Sequence, residues 1–523
     1  MRYSTLFKSI NKRHHSGPAH IRTASWMPNT ITVNNLLKLL ILFLWAGVNL
    51  VGLSRISENI YINASTLLYT QLLFATYLIL ARFSHVVTVM YVLIGVFFVL
   101  QRMLFIFIDP TYIDASEFFF IEPKSLDQAL IFVLLCNIVA IGVSLISSNE
   151  KRFVRSRFTT NATVLRVIQY YPWIYIFFWI IKTIFMFETG IGFKTRTGGL
   201  EFGTLNRLIN MGMGLHFLLF LGVLYLKDKK VHVIALVLLF LQTGIFLTSK
   251  GALIFMFFSF LVMALMLGRN RIPIRYVTLS CVFGLVTIFI WAPVAMVMRS
   301  GIMESERRHE IAPSALWSVA VSSIGSLPDV MESGPLMVNE MSKRLALAEW
   351  LAGIIQFGRG AFSADVNTHY LFDSIVNSVV PGELLEDDYM PTTKILSLVL
   401  KSFVTEEHGE IPGIYGGLYL YAGFVGGILV FTIWYWMSLT LVQKARGIVA
   451  LIILTQFVVN FITGGLPEDI VPRVMDNVAM IMLLTLLVVS LREARRVAYV
   501  VKCKYGYRGD AIATLMSGGV SCK

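Results

Sequence analysis

Charge is scarce in this chain. Only 14% of its 523 residues are Asp, Glu, Lys or Arg, while 56% are hydrophobic and the mean hydropathy is +0.72; a soluble domain carries about 25% charged residues. That scarcity excludes a soluble globular fold of this length and marks an all-α, polytopic membrane protein. Cysteine is also rare. Of the four, Cys136 and Cys281 fall within apolar spans and Cys503 and Cys522 in the C-terminal tail, so no extracytoplasmic pair exists to build a disulfide framework. Before the first apolar run there is no A-x-A-like cleavage site, only a polar, basic, acid-free stretch that reads as a cytoplasmic tail. A mitochondrial presequence shares that composition.

Catalytic and nucleotide motifs are missing too. The chain has no G-x-x-x-x-G-K-S/T loop, H-E-x-x-H helix, G-x-S-x-G elbow or Cys/His cluster, so ATP-driven transport, zinc proteolysis and serine hydrolysis find no support. No internal repeat is evident. The long connector follows the ninth apolar run rather than the sixth, against two six-helix transporter halves.

What is present is a series of apolar runs. A membrane-spanning helix needs about 20 apolar residues. Windows of this kind lie near 35–53, 64–81, 85–108, 127–147, 168–187, 208–226, 231–248, 252–268, 276–298, 414–441, 448–463 and 477–490, which predicts about 12 transmembrane helices. The pair around Thr248 to Gly251 also reads as a re-entrant hairpin. The net charge of +13 does not point to nucleic acid, because the bases cluster in short connectors: ARFSH, NEKRFVRSRFTTN, KDKK, GRNRIPIR, QKARG and REARR. With the tail inside, these are the connectors that alternation puts in the cytoplasm, and both termini with them. The organisation is therefore a tail (1–34), nine helices (35–298), a large outward loop (299–411), three helices (412–490) and a second tail (491–523).

The outward loop collects acid. Arg299 to Ile411 holds sixteen acids against eight bases, a net of −8, which leaves +21 on the rest of the chain. LALAEWLAGIIQF (345–357), HYLFDSIVNSVV (369–380) and KILSLVLKSF (394–403) have helical periodicity at lengths too short to span, which predicts helices along the outer interface that roof the bundle. The next span opens with GEIPGIYGGLYLYAGFVGG. Pro412 suits a first helical turn, and Gly413/Gly417 and Gly423/Gly427 form two small-xxx-small pairs that admit a neighbouring helix or a lipid tail. Tyr415, Tyr419 and Tyr421 are expected in an outer aromatic belt.

Cations on the outward side are the exception to the positive-inside pattern, and each needs a reason. Arg196 and Arg207 flank the Gly-rich loop GFKTRTGGLEFGTLNR, where backbone amides and guanidinium forks at a helix N-terminus suit a diphosphate. Lys250, in LTSKGAL, has apolar sequence on both sides and is either functional or the terminus of a helix. Arg299 and Arg473 join them as diphosphate-binding candidates. Lys182 suits a functional role or snorkelling from a helix end. For acid-base chemistry, Asp365 and His369 in SADVNTHY share a helix face, and Glu410 stands beside His408 at the mouth of the glycine-rich span. A capping Asp with a surface His explains the first pair equally. Glu386 to Asp388 complete no metal-ligand pattern, so no metal is expected.

Taken with TSKGALIFMFFSFLV in mid-chain, the large late outward loop and G-x-Y-G-G-x-Y-x-Y-x-G-F-x-G-G after it, this layout resembles the bacterial oligosaccharide repeat unit polymerases. These are the Wzy-type O-antigen or capsule polymerases, related to the O-antigen ligases. The outward loops lack the Arg-x10-Gly pattern of some members, and its roles are not carried over. The resemblance implies a GT-C-like glycosyltransferase of the inner membrane, multi-pass, working at the periplasmic face without nucleotide sugar or other cofactor. It implies transfer of a glycan from undecaprenyl diphosphate to a new lipid-linked repeat unit, with membrane lipids, a flippase and a chain-length regulator as partners. The charge pattern is compatible with such chemistry: cations for a diphosphate leaving group, carboxylates for an acceptor hydroxyl. A ligase acting on a lipid A core and a transporter of lipid-linked glycan are the competing readings.

Overall fold

The computed structural model describes residues 30–55, 63–108, 121–147, 162–189, 203–215, 217–226, 228–245, 271–273, 347–358, 413–444, 475, 478–490 and 493. Nearly all of these are helical. The described part begins with β1 (Thr30–Thr32), which pairs antiparallel with β2 (Arg271–Pro273), and continues into α1 (Val33–Arg55) and α2 (Ala64–Leu80). Next come α3, which runs from Val86 to Ile108, and α4 (Pro123–Ser147). Then follow α5 (Ala162–Thr189), α6 (Gly203–Gly214), α7 (Phe217–Tyr225), α8 (Lys230–Ile245), α9 (Leu347–Phe357), α10 (Gly413–Lys444) and α11 (Val478–Ser490).

Among the described residues, four helices are long and apolar enough to cross a membrane: Val33–Gly52, Val86–Ile108, Pro123–Ser147 and Gly413–Lys444. Large apolar side chains on α1, α4, α5, α8, α10 and α11 stand exposed, as lipid-facing surfaces require. The protein is a helical membrane protein. The expected spans at 252–268, 276–298 and 448–463 lie outside the described residues, as do the loop helices at 369–380 and 394–403. The window at 208–226 is divided: α6 ends in the Gly-containing MGMG, and Leu218 N–H closes a turn onto Leu215 O (2.8 Å) before α7.

Among the described residues, two apolar clusters hold the helices together. One joins α1 to α4 with α9 and α10; the other joins α5 to α8 with α11. In the first, α3 is the most enclosed span and α1 the least. Midway along α3, Val96–Leu100 forms a π turn in which the Gln101 N–H reaches Val96 O, five residues back. A π turn inserts one extra residue into the helical period and rotates everything beyond it, which is why such turns gather at functional sites.

α10 is not one straight rod. At Gly423 the backbone has φ 72° and ψ −168°, a region open essentially to glycine alone, leaving ten residues before the break and twenty-one after it. Twenty residues separate Tyr415 from Tyr435, which a straight helix spreads over about 30 Å. Yet both pack on one ring, with centroids 6.3 Å and 5.7 Å from that of Tyr91. The chain therefore folds back at Gly423 into a helical hairpin. A Cβ on Gly427 would lie only 3.0 Å from the carbonyl oxygen of Leu418 and 2.9 Å from Phe132 Cζ, so that glycine notch is filled by a tight helix contact.

Candidate functional site

The first cluster has two ends, and its polar contacts tell them apart. At one end, α2 and α4 begin. Asn63 caps α2 by accepting from the Thr66 N–H (2.8 Å), and the Asp127 carboxylate of α4 accepts from the Thr66 hydroxyl (2.6 Å) and from Ser65. The Glu122 N–H, just ahead of α4, donates to Gln356 Oε1 near the end of α9 (2.8 Å), so α9 finishes at this same end. At the opposite end, Asn34 Nδ2 donates to Phe83 O (3.1 Å), and the Thr88, Ser144 and Tyr435 hydroxyls meet with Thr88 2.7 Å and Ser144 3.1 Å from Tyr435.

Both α9 and the first half of α10 start inside the bundle and run toward the first end. Tyr415, one turn into α10, reaches Tyr91, which donates to Asn137 Oδ1 (2.7 Å), and Asn137 is ten residues along α4 from Asp127, about 15 Å. The start of α9 is held at the start of α10: a Cβ on Gly413 would sit 2.3 Å from Leu347 Cδ2, and Gly413 has φ +66°. Only glycine meets both demands. Two helix N-termini thus meet within the bundle. Each carries the positive end of its peptide dipoles.

Beside them lies the charged pair of the cluster. Arg102 follows the π turn of α3 after Gln101, and Glu349 stands in the first turn of α9; the Arg102 Nε–H donates to Glu349 Oε1, with both side chains 1% exposed. The α9 N-terminus adds to the stabilisation of the carboxylate. Glu349 Oε2 is buried without a hydrogen-bond partner among the described residues. An intramembrane ion pair is costly to assemble, so a carboxylate left half-satisfied there calls for a reason.

A chain of hydroxyls lines the same interior. Tyr415 donates to Tyr91 (2.9 Å) and Tyr91 to Asn137 Oδ1, so the 3.2 Å contact of Tyr77 with Tyr415 has Tyr77 as donor. Asn137 Nδ2 donates to Thr76 Oγ1 (3.0 Å), and Thr76 donates to Leu73 O (2.9 Å). Every member is buried, and the run ends on a backbone carbonyl. Tyr415 is consequently an interior residue and not part of an outer aromatic belt.

No family model, no curated protein and no solved structure matches the chain. Its chemistry has to be read from its own residues.

Of the residues singled out in the sequence, Arg207 lies on α6. Arg196, Lys250, Arg299, Asp365, His369, Glu410 and Arg473 lie outside the described residues, as does His408. Lys182 sits on α5 and is buried. Among the described residues, no group of three or more His, Cys, Asp or Glu could hold a metal. Arg102 and Glu349 were not among the candidates, though each carries a signal: Arg102 is the one charge inside the window 85–108, and Glu349 is the one charge inside LALAEWLAGIIQF. The segment of Glu349 was expected along an outer interface. Instead its residues from Leu347 to Ile354 are buried on all sides, between α3, α4 and α10.

Proposed function

We propose that the protein polymerises lipid-linked oligosaccharide repeat units, moving a growing glycan from undecaprenyl diphosphate to the terminal sugar of a new lipid-linked unit. The observation that carries this reading is the enclosed Arg102–Glu349 pair with one carboxylate oxygen open, on a short helix from the large loop docked inside a membrane bundle. A reaction on a polyprenyl-linked sugar needs such an arrangement: acid-base chemistry sheltered from water, within reach of a substrate whose tail stays in lipid. The layout of a long late loop, outward cations and a glycine-rich span supports the same reading, together with a GT-C-like arrangement of about 12 helices facing the periplasm of a bacterial inner membrane. Arg196, Arg207, Lys250, Arg299 and Arg473 are the proposed diphosphate contacts.

The test is purified protein in vesicles with a lipid-linked repeat unit and no added nucleotide or metal. A ladder of products, each longer by one repeat, is the expected result. Single transfer to a lipid A core would identify a ligase, and movement of intact substrate across the bilayer a transporter; either outcome replaces the proposal.

A further inference from the structure

We infer that Glu349 is the group that takes the proton of the acceptor hydroxyl, through Oε2, with Arg102 as the residue that positions it. This rests on the polymerase reading and goes beyond it by naming the base. The open oxygen is an acceptor atom, so what completes it is an O–H or N–H donor rather than an anion. A second diphosphate oxygen is excluded at that point by like charge. A sugar hydroxyl has the matching chemistry.

The surrounding contacts hold Glu349 in place through its other oxygen and through its helix. Arg102 Nε holds Oε1, Gln356 Oε1 near the end of α9 accepts from the Glu122 N–H, and Leu347 is lodged against Gly413, so both ends of α9 are anchored to neighbouring segments. A base held in a fixed orientation with one oxygen unused is the arrangement that general-base catalysis asks for.

In the step itself, the acceptor hydroxyl oxygen bonds to the anomeric carbon of the donor sugar while its proton passes to Glu349 Oε2. The bond from that carbon to the diphosphate oxygen breaks, and its electron pair leaves with undecaprenyl diphosphate. The proton returns to water between turnovers. Arg102 orients Glu349 through Oε1, but does not touch the reacting atoms.

The experiment uses the full chain in vesicles with a lipid-linked repeat unit, reading polymer formation, KM, the pH profile of kcat and thermal stability. Glu349→Asp retains the charge and withdraws the oxygen by one methylene. It is expected to fold, to leave KM within about threefold, and to lower kcat by about 100-fold or more. Its acid limb should move along the pH axis, which a purely structural carboxylate would not cause. Glu349→Gln is expected to make no ladder while still retaining bound lipid-linked repeat. Arg102→Lys should restore part of the kcat that Arg102→Gln loses. If wild type makes the ladder and Glu349→Asp polymerises within threefold of it with an unmoved pH profile, Glu349 is not the base and the polymerase reading stands. If wild type itself makes no ladder, both fall together.

Discussion

Replacing Gly423 with alanine isolates the feature that gives α10 its shape. At φ 72° and ψ −168° an alanine Cβ meets its own backbone, at an expected cost of about 1–3 kcal/mol. The size of the structural consequence follows from length. A straight helix of 32 residues measures about 48 Å against a hydrocarbon core of about 30 Å, whereas the twenty-one residues after Gly423 measure about 31 Å. The break thus leaves one span of membrane length and one short helix that rises within the bundle to deliver Tyr415. Unfolding of purified protein in mixed detergent gives the cost, with Gly142→Ala as control: a Cβ there meets nothing within 4 Å, so that change should be neutral or stabilising by up to about 1 kcal/mol. Two double-mutant cycles then test the fold-back directly. Tyr91→Phe with Tyr415→Phe, and Thr88→Val with Tyr435→Phe, should each show a coupling of about 0.5–1.5 kcal/mol. A straight α10 could not satisfy both, since Tyr415 and Tyr435 would then be about 30 Å apart while Thr88 and Tyr91 sit one turn apart on α3. Gly423→Ala as stable as wild type, or loss of either coupling, would refute the hairpin.

Two further outcomes test the same end of the bundle. Arg102→Met strands a buried carboxylate and is expected to cost about 3–5 kcal/mol, most of which Arg102→Met with Glu349→Met should recover; a single-variant loss under about 1 kcal/mol, or a double variant no better than the single, contradicts an enclosed pair. Asn63→Ala removes the α2 cap for about 1 kcal/mol, and Asp127→Ala removes hydrogen bonds to a charged group for about 1.5–3 kcal/mol, both by the same unfolding measurement; changes within 0.5 kcal/mol for both would mean this polar cap does not hold α2 to α4.

Helix existence was legible in the sequence because hydropathy and period are local. α1, α2, α3, α4, α8 and α11 start and stop within a few residues of their apolar windows. The hairpin in α10 was not, because a glycine reads the same whether it admits a neighbour or reverses the backbone. Gly413 and Gly427 do admit neighbours, Leu347 and Phe132; Gly423, between them in the same pattern, turns the chain. Tyr415 was misplaced for a related reason. Tyr415 near a span terminus suggests an interfacial belt, yet the reversal at Gly423 carries that terminus into the bundle, where its hydroxyl finds Tyr77 and Tyr91.

The charged pair was hidden by distance along the chain. Arg102 and Glu349 are 247 residues apart, and each is a lone charge in an apolar segment that local pattern explains as a span end or an interfacial helix. What places them together is the docking of α9 among the spans. α9 has eleven residues, too few to cross a membrane alone, and its first eight are enclosed by α3, α4 and α10. It therefore takes up its place only against spans that already stand beside one another, and Glu349 loses water only when Arg102 is there to receive it. The acid that α9 carries in its first turn is thus tolerable because the helix docks where Arg102 receives it. The docking of α9 leaves Oε2 buried without a donor, at the place where a substrate hydroxyl would supply one.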